Sequence, residues 1–180
     1  MAVFPHGGQW RRLFASSIKQ IFAALLGLLL TISLVDGQDS ATIGEWSPVM
    51  TWPYKAVHAQ LLSTGEVLWW PPFGNGDNPT LWNPSTNVNV AAVHAGANIF
   101  CSGHSFLANG TLLVAGGHID NWVGLPSAYI YSPFNGSWTR LPNMNNGRWY
   151  PTNTTLPNGD VLVVSGWVNT TEGVNVEPQV

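Results

Sequence analysis

Charge is scarce in this chain of 180 residues, where six Lys plus Arg and nine Asp plus Glu make up 8% of the sequence. Soluble domains carry about 25%. Six cations are too few to neutralise the row of phosphates that a nucleic-acid binder contacts, which excludes that class of partner. The low charge and the 12% aromatic content also exclude a disordered tail, because such a segment needs charge and few aromatic residues. Long helices fit poorly as well, since nineteen Gly, thirteen Pro and ten Trp interrupt any extended 3.6-residue periodicity. What remains is a turn-rich, aromatic-rich β protein.

The apolar run at the front, Ile21 to Val35, holds fifteen residues, short of the roughly 20 that span a bilayer. Arg11, Arg12 and Lys19 precede it, and Asp36-Gly37-Gln38-Asp39 follows. A basic stretch, an apolar stretch and then small or polar residues predict a secretory signal over 1–37, with Val35 and Gly37 at the positions read by the protease. A secreted chain from Gln38 and no stable membrane anchor are therefore expected. That mature chain carries three basic and eight acidic residues and one cysteine, Cys101. Exported proteins normally pair their thiols, so a solitary cysteine asks for other chemistry. Sequons at Asn109, Asn135, Asn153 and Asn169 permit glycosylation in a eukaryotic secretory route.

The chain repeats itself. Three segments join two apolar strands through a glycine turn: His58 to Leu68 around Gly65, Gly103 to Val114 around Asn109-Gly110, and Thr152 to Val163 around Asn158-Gly159. Asn-Gly between apolar runs is a hairpin signal, because both residues tolerate positive φ. The turn glycines are 45 and 49 residues apart, and Leu81-Trp82-Asn83-Pro84 recurs 49 residues later as Ile130-Tyr131-Ser132-Pro133. Trp46 to Met50 recurs loosely as Trp138 to Met144 and is expected to be the last strand of a blade. A period of 40 to 50 residues with four short strands marks propeller blades. The expected fold is an all-β, kelch-like β-propeller. Propellers close by pairing strands from both ends of the domain and need about four blades. Residues 38–180 are therefore expected to be the N-terminal part of such a domain, about two and a half blades of seven.

Counting back nine from Gly110 reaches Cys101, and counting back nine from Gly159 reaches Tyr150. Equivalent positions at the entrance to the innermost strands face each other near one mouth of a propeller, so a thiol and a phenol are brought together. Geometry alone also allows a small buried cysteine beside a packed aromatic ring.

Phe100-Cys101-Ser102-Gly103-His104-Ser105-Phe106 with Asn109 to Gly117, and Arg148-Trp149-Tyr150-Pro151-Thr152 with Leu156 to Val163, resemble the cysteine and tyrosine blades of the copper-radical oxidases. That family comprises galactose oxidase, glyoxal oxidase and related kelch-like enzymes, and the Arg-Trp-Tyr-Pro-Thr string leans towards glyoxal oxidase. The resemblance covers roughly Glu45 to Trp167. It implies a thioether between Cys101 and the Tyr150 ring, forming a protein-derived Cys-Tyr radical cofactor, and Tyr150 as a copper ligand. It also implies a small alcohol, aldehyde or carbohydrate substrate, with O2 reduced to H2O2. The family's copper histidines and axial tyrosine lie downstream of its cross-linked tyrosine, whereas all five histidines of this chain precede Tyr150; the remaining copper ligands are not carried over to any residue here.

By the same resemblance, Trp167 lies one place from the tryptophan that shields the radical ring, while strand-end packing is the plainer reading. Arg148, two residues before Tyr150, is a candidate for orienting substrate, with loop bracing as the alternative. His58, His94, His104 and His118 show no metal-ligand spacing and read as structural or surface residues. His104 lies three residues past Cys101, and in a strand such residues point to opposite faces. Two functions stand: part of a secreted copper-radical oxidase, or a non-catalytic extracellular kelch-like propeller that binds glycans or proteins.

Overall fold

The computed structural model describes residues 43–180; the expected signal peptide over 1–37 and the expected start at Gln38 lie outside them. Contacts divide the chain into two units, 1–50 and 51–180. Within 43–50 there is no strand, and Trp46 is 98% exposed. The expected strand from Trp46 to Met50 is thus absent. A strand is held by bonds to a neighbour, and these residues join none of the described sheets.

The second unit is built from short antiparallel strands in chain order. The first blade is β1 (His58–Leu61), β2 (Val67–Trp70), β3 (Thr80–Asn83) and β4 (Val88–Ala91), paired in that order. The second is β5 (Ser102–Phe106), β6 (Leu112–Gly116), β9 (Ala128–Ser132) and β10 (Ser137–Arg140), with the short hairpin β7 (His118–Asp120) and β8 (Val123–Gly124) between its second and third strands. A third begins with β11 (Thr152–Thr155) and β12 (Val161–Val164), followed by the hairpin β13 (Trp167–Asn169) and β14 (Gly173–Val174). Two full blades and an opening hairpin match the expected kelch-like propeller.

One turn is used three times. Leu62, Leu107 and Leu156 each donate their amide to the carbonyl four residues on, at 2.8, 2.9 and 2.8 Å. Gly65, Gly110 and Gly159 each donate back to that leucine at 2.9 Å. The glycines sit at φ 86, 81 and 92°, a region that costs a side chain about 1 kcal/mol or more, which explains the glycine at each repeat.

β6 is buried along its whole length because it lies between two blade interfaces. Successive side chains of a strand point to opposite faces. Leu112 and Val114 therefore pack with Leu62, Leu68, Trp70, Ile99, Tyr129 and Tyr131 towards the first blade. Leu113 and Ala115 pack with Ala128, Val161 and Val163 towards the third. The core is thus a set of layers between blades, and it fixes how their inner ends meet.

Candidate active site

Cys101 directly precedes β5, and Tyr150 stands two residues before β11. Both backbones are left-handed, φ 65° and 58°, a conformation uncommon for residues with a side chain. Hydrogen bonds offset the strain: Tyr150 N–H donates to the Cys101 carbonyl at 2.7 Å, and Cys101 N–H donates to His58 Nε2 at 3.2 Å. Gly103 makes the approach of the two blades possible. A Cβ there would run into the Asn153 carboxamide and the Pro151 carbonyl.

Cys101 is fully buried, whereas Tyr150 is 48% exposed. Burial pushes the thiol up to about 11, partly countered by Tyr150 and Trp149. The phenol is pushed up to about 12 by its own partial burial and then by Cys101. Each group therefore alters the ionisation of the other, and both are protonated at neutral pH. A buried thiol therefore stands within hydrogen-bonding reach of a half-exposed phenol.

Aromatic and imidazole side chains surround the pair. His118 Nδ1 lies 4.0 Å from Cys101 Sγ and accepts a hydrogen bond from Trp149 Nε1 at 3.1 Å. Against the Tyr150 ring stand Trp149, with centroids 4.6 Å apart, and Phe100 at 6.1 Å, both edge-on. Trp167 is one shell further out: it bridges the Trp149 backbone and packs on Trp122 at 5.0 Å. Trp122 in turn packs on Trp149 at 4.8 Å. The ring nearest the phenol is therefore Trp149, its chain neighbour, and not the expected Trp167. His118, expected to be a structural or surface residue, sits at the thiol. The signal for it was available, since His118 and Trp167 are 49 residues apart, the same step as Cys101 and Tyr150.

Arg148 is fully buried. Its guanidinium donates to Ser165 O at 2.8 Å, Asn145 Oδ1 at 3.0 Å and Glu177 O, at 2.6 Å. This is the bracing arrangement, not a cation open to substrate. Among the other histidines, His58 and His104 pair with each other at 3.2 Å, and exposed His94 stands 3.9 Å from Asp77.

Among the described residues no three His, Cys, Asp or Glu converge on a point that could hold a metal. The half-exposed Tyr150 oxygen is nevertheless a donor suited to copper(II) and lies beside the thiol. Tyr150 fits one oxygen position of a copper shell, and the described residues supply no complete one.

The Kelch motif matches residues 107–145, which cover β6 to β10. Galactose oxidase of Gibberella zeae is 27% identical over 136 residues, 69% of this chain and 19% of that protein. "Aldehyde oxidase GLOX" of Vitis pseudoreticulata is 36% identical over 70 residues, 37% of this chain and 13% of that protein. Among solved structures, a fungal alcohol oxidase of the AA5 family in complex with copper superposes with a TM-score of 0.58 at 28% identity, over 68% of this chain and 27% of its own. The chain spans about a fifth of the length of the galactose oxidase it matches. No helix among the described residues is long and apolar enough to cross a membrane.

Proposed function

The oxidase relatives, the copper-bound neighbour and the Kelch motif support a copper-radical oxidase kelch family, and on that premise we propose that this chain is the N-terminal part of a secreted oxidase. The whole protein converts a primary alcohol or aldehyde with O2 into the oxidised product and H2O2. The observation that carries this reading is the buried Cys101 thiol set against the Tyr150 phenol by a direct backbone bond.

In the maturation step the Cys101 S–H and one ring C–H of Tyr150 are lost and a C–S bond forms. The two electrons and two protons released reduce O2 to H2O2. The sulfur then donates electron density into the ring and makes it easier to oxidise by one electron. Copper, when bound at the Tyr150 oxygen, supplies the second one-electron acceptor. In each turnover the substrate loses two electrons and two protons, which pass to O2. Trp149 and Phe100 pack edge-on against the Tyr150 ring and restrict its movement, while about half of the residue stays open to solvent.

Intact mass spectrometry of the copper-loaded full-length protein tests the proposal. A mass lower by two hydrogens and a Cys101 that resists alkylation after reduction are expected. A free, alkylatable Cys101 would leave the non-catalytic propeller.

A further inference from the structure

The two residues of the thiol–phenol pair are held in different ways. Tyr150 N–H finds its acceptor in the neighbouring blade's backbone, at Cys101 O. Cys101 N–H, buried and on a left-handed residue, finds its acceptor in a side chain of the first blade, His58 Nε2 at 3.2 Å. His58 is the residue seven before the turn glycine Gly65; the same places in the next two repeats are Gly103 and Thr152. An imidazole at this place therefore belongs to the first repeat alone among the three.

The donor direction follows from elementary bookkeeping of protons. A backbone N–H only donates, so His58 Nε2 must present its lone pair, and a neutral ring then carries its proton on Nδ1. That proton points at His104 Nε2, 3.2 Å away, which makes His104 the Nδ1–H tautomer. The Gln60 carboxamide reaches His104 Nδ1 at 2.8 Å; its oxygen must face that proton, since the two ends of a carboxamide are alike in shape. The opposite direction would set an imidazole N–H head-on against Cys101 N–H. His58 lies flat on Trp70, with centroids 5.0 Å apart, and His104 stands edge-on to both rings. The pair has little room to turn, and burial lowers the pKa of each imidazole, consistent with neutral rings.

We infer that His58 is a positioning residue for cofactor formation: its Nε2 lone pair, oriented through His104 and Gln60, holds Cys101 in the left-handed conformation that aims the sulfur at the Tyr150 ring. The inference rests on the thioether reading for its consequence, but the hold on the Cys101 amide stands without it. Removing the acceptor leaves a buried N–H unpaired on a strained residue, and the backbone relaxes to a conformation that turns the thiol away.

The test compares the full-length protein with His58→Leu, which fills the space without a lone pair, and His58→Gln, whose amide oxygen reaches the place of Nε2. Hydrogen exchange is followed on the peptide carrying Cys101 in copper-free protein. Thioether formation is then followed by mass after addition of copper(II) and O2. His58→Leu is expected to exchange faster and to cross-link more slowly by about tenfold, with His58→Gln restoring most of both, as the loss of one buried hydrogen bond implies. Should His58→Leu fail to fold, His104→Leu, which frees the His58 tautomer, takes its place. A lower melting temperature with unchanged exchange and cross-linking would overturn the inference and leave His58 as packing. A wild-type protein that never cross-links would overturn the oxidase reading, and the exchange measurement would still decide the role of His58.

Discussion

The Tyr150 backbone N–H donates to the Cys101 carbonyl at 2.7 Å, joining two left-handed residues that lie one blade apart. Because the bond is made by main-chain atoms, it survives replacement of either side chain. Variants at these positions therefore test chemistry without first dismantling the geometry.

Tyr150→Phe is expected to abolish both the thioether and peroxide production in the full-length protein, since it removes the metal-binding oxygen and the redox-active phenol together. Cys101→Ser keeps the oxygen but leaves the ring without its sulfur, so its potential rises and turnover falls by orders of magnitude. Peroxide release in a coupled assay, alongside copper content, checks both. Wild-type turnover in Cys101→Ser would show that the sulfur tunes nothing.

Gly103→Ala places a methyl group where the Asn153 carboxamide and the Pro151 carbonyl now lie. The blades must move apart, at a cost of about 1–3 kcal/mol, and the sulfur moves away from the ring. A lower melting temperature is expected, together with a reduced cross-linked fraction among the molecules that remain folded. An unchanged fraction would mean that the Gly103 contact does not set the spacing of the pair.

Much of this was legible beforehand because repetition is a one-dimensional signal. The turn glycines gave the hairpins, and counting from Gly110 and Gly159 led to Cys101 and Tyr150. The strand expected from Trp46 to Met50 does not form, because a loose match to Trp138 to Met144 carries no information about a pairing partner. The role of Trp149 is not legible in the sequence, because Trp149 and Trp167 join one cluster only through Trp122 and the bridge between their backbones. The His58–His104 pair could not be read, because the residues are 46 apart and meet only when the first two blades pack. Nor does any sequence rule say which way a guanidinium points.

Arg148 separates two readings by experiment. Arg148→Met removes three part-buried hydrogen bonds to Ser165, Asn145 and Glu177, and its Nε is already unpartnered. A stability loss of roughly 1–3 kcal/mol is expected, because hydrogen bonds made by a charged donor are lost while the exposed acceptors return to water. The apparent KM of the surviving enzyme should be unchanged. A raised KM at an unchanged melting temperature would restore the substrate-orienting role.

Acid should weaken the first-to-second blade contact through His58. Burial, and then neighbouring His104, lower His58 to about 4 from an ordinary value of 6.5. Below pH 6.5 the unfolded chain takes up a proton there that the folded protein refuses, so the unfolded state binds more protons and stability falls. The contribution is complete above about pH 6.5, is lost progressively as pH drops towards 4, and does not change further below that. Its full size is on the order of 3 kcal/mol. His104 is shifted in the same direction, by burial, and adds to the effect. Carboxylates also titrate near the acid end, so the informative quantity is the difference between wild type and His58→Gln, which share every other group. Melting temperatures measured from pH 7.5 to 4 should converge on acidification, with the wild type losing more. Parallel curves would mean that His58 carries the same charge in the folded and unfolded states.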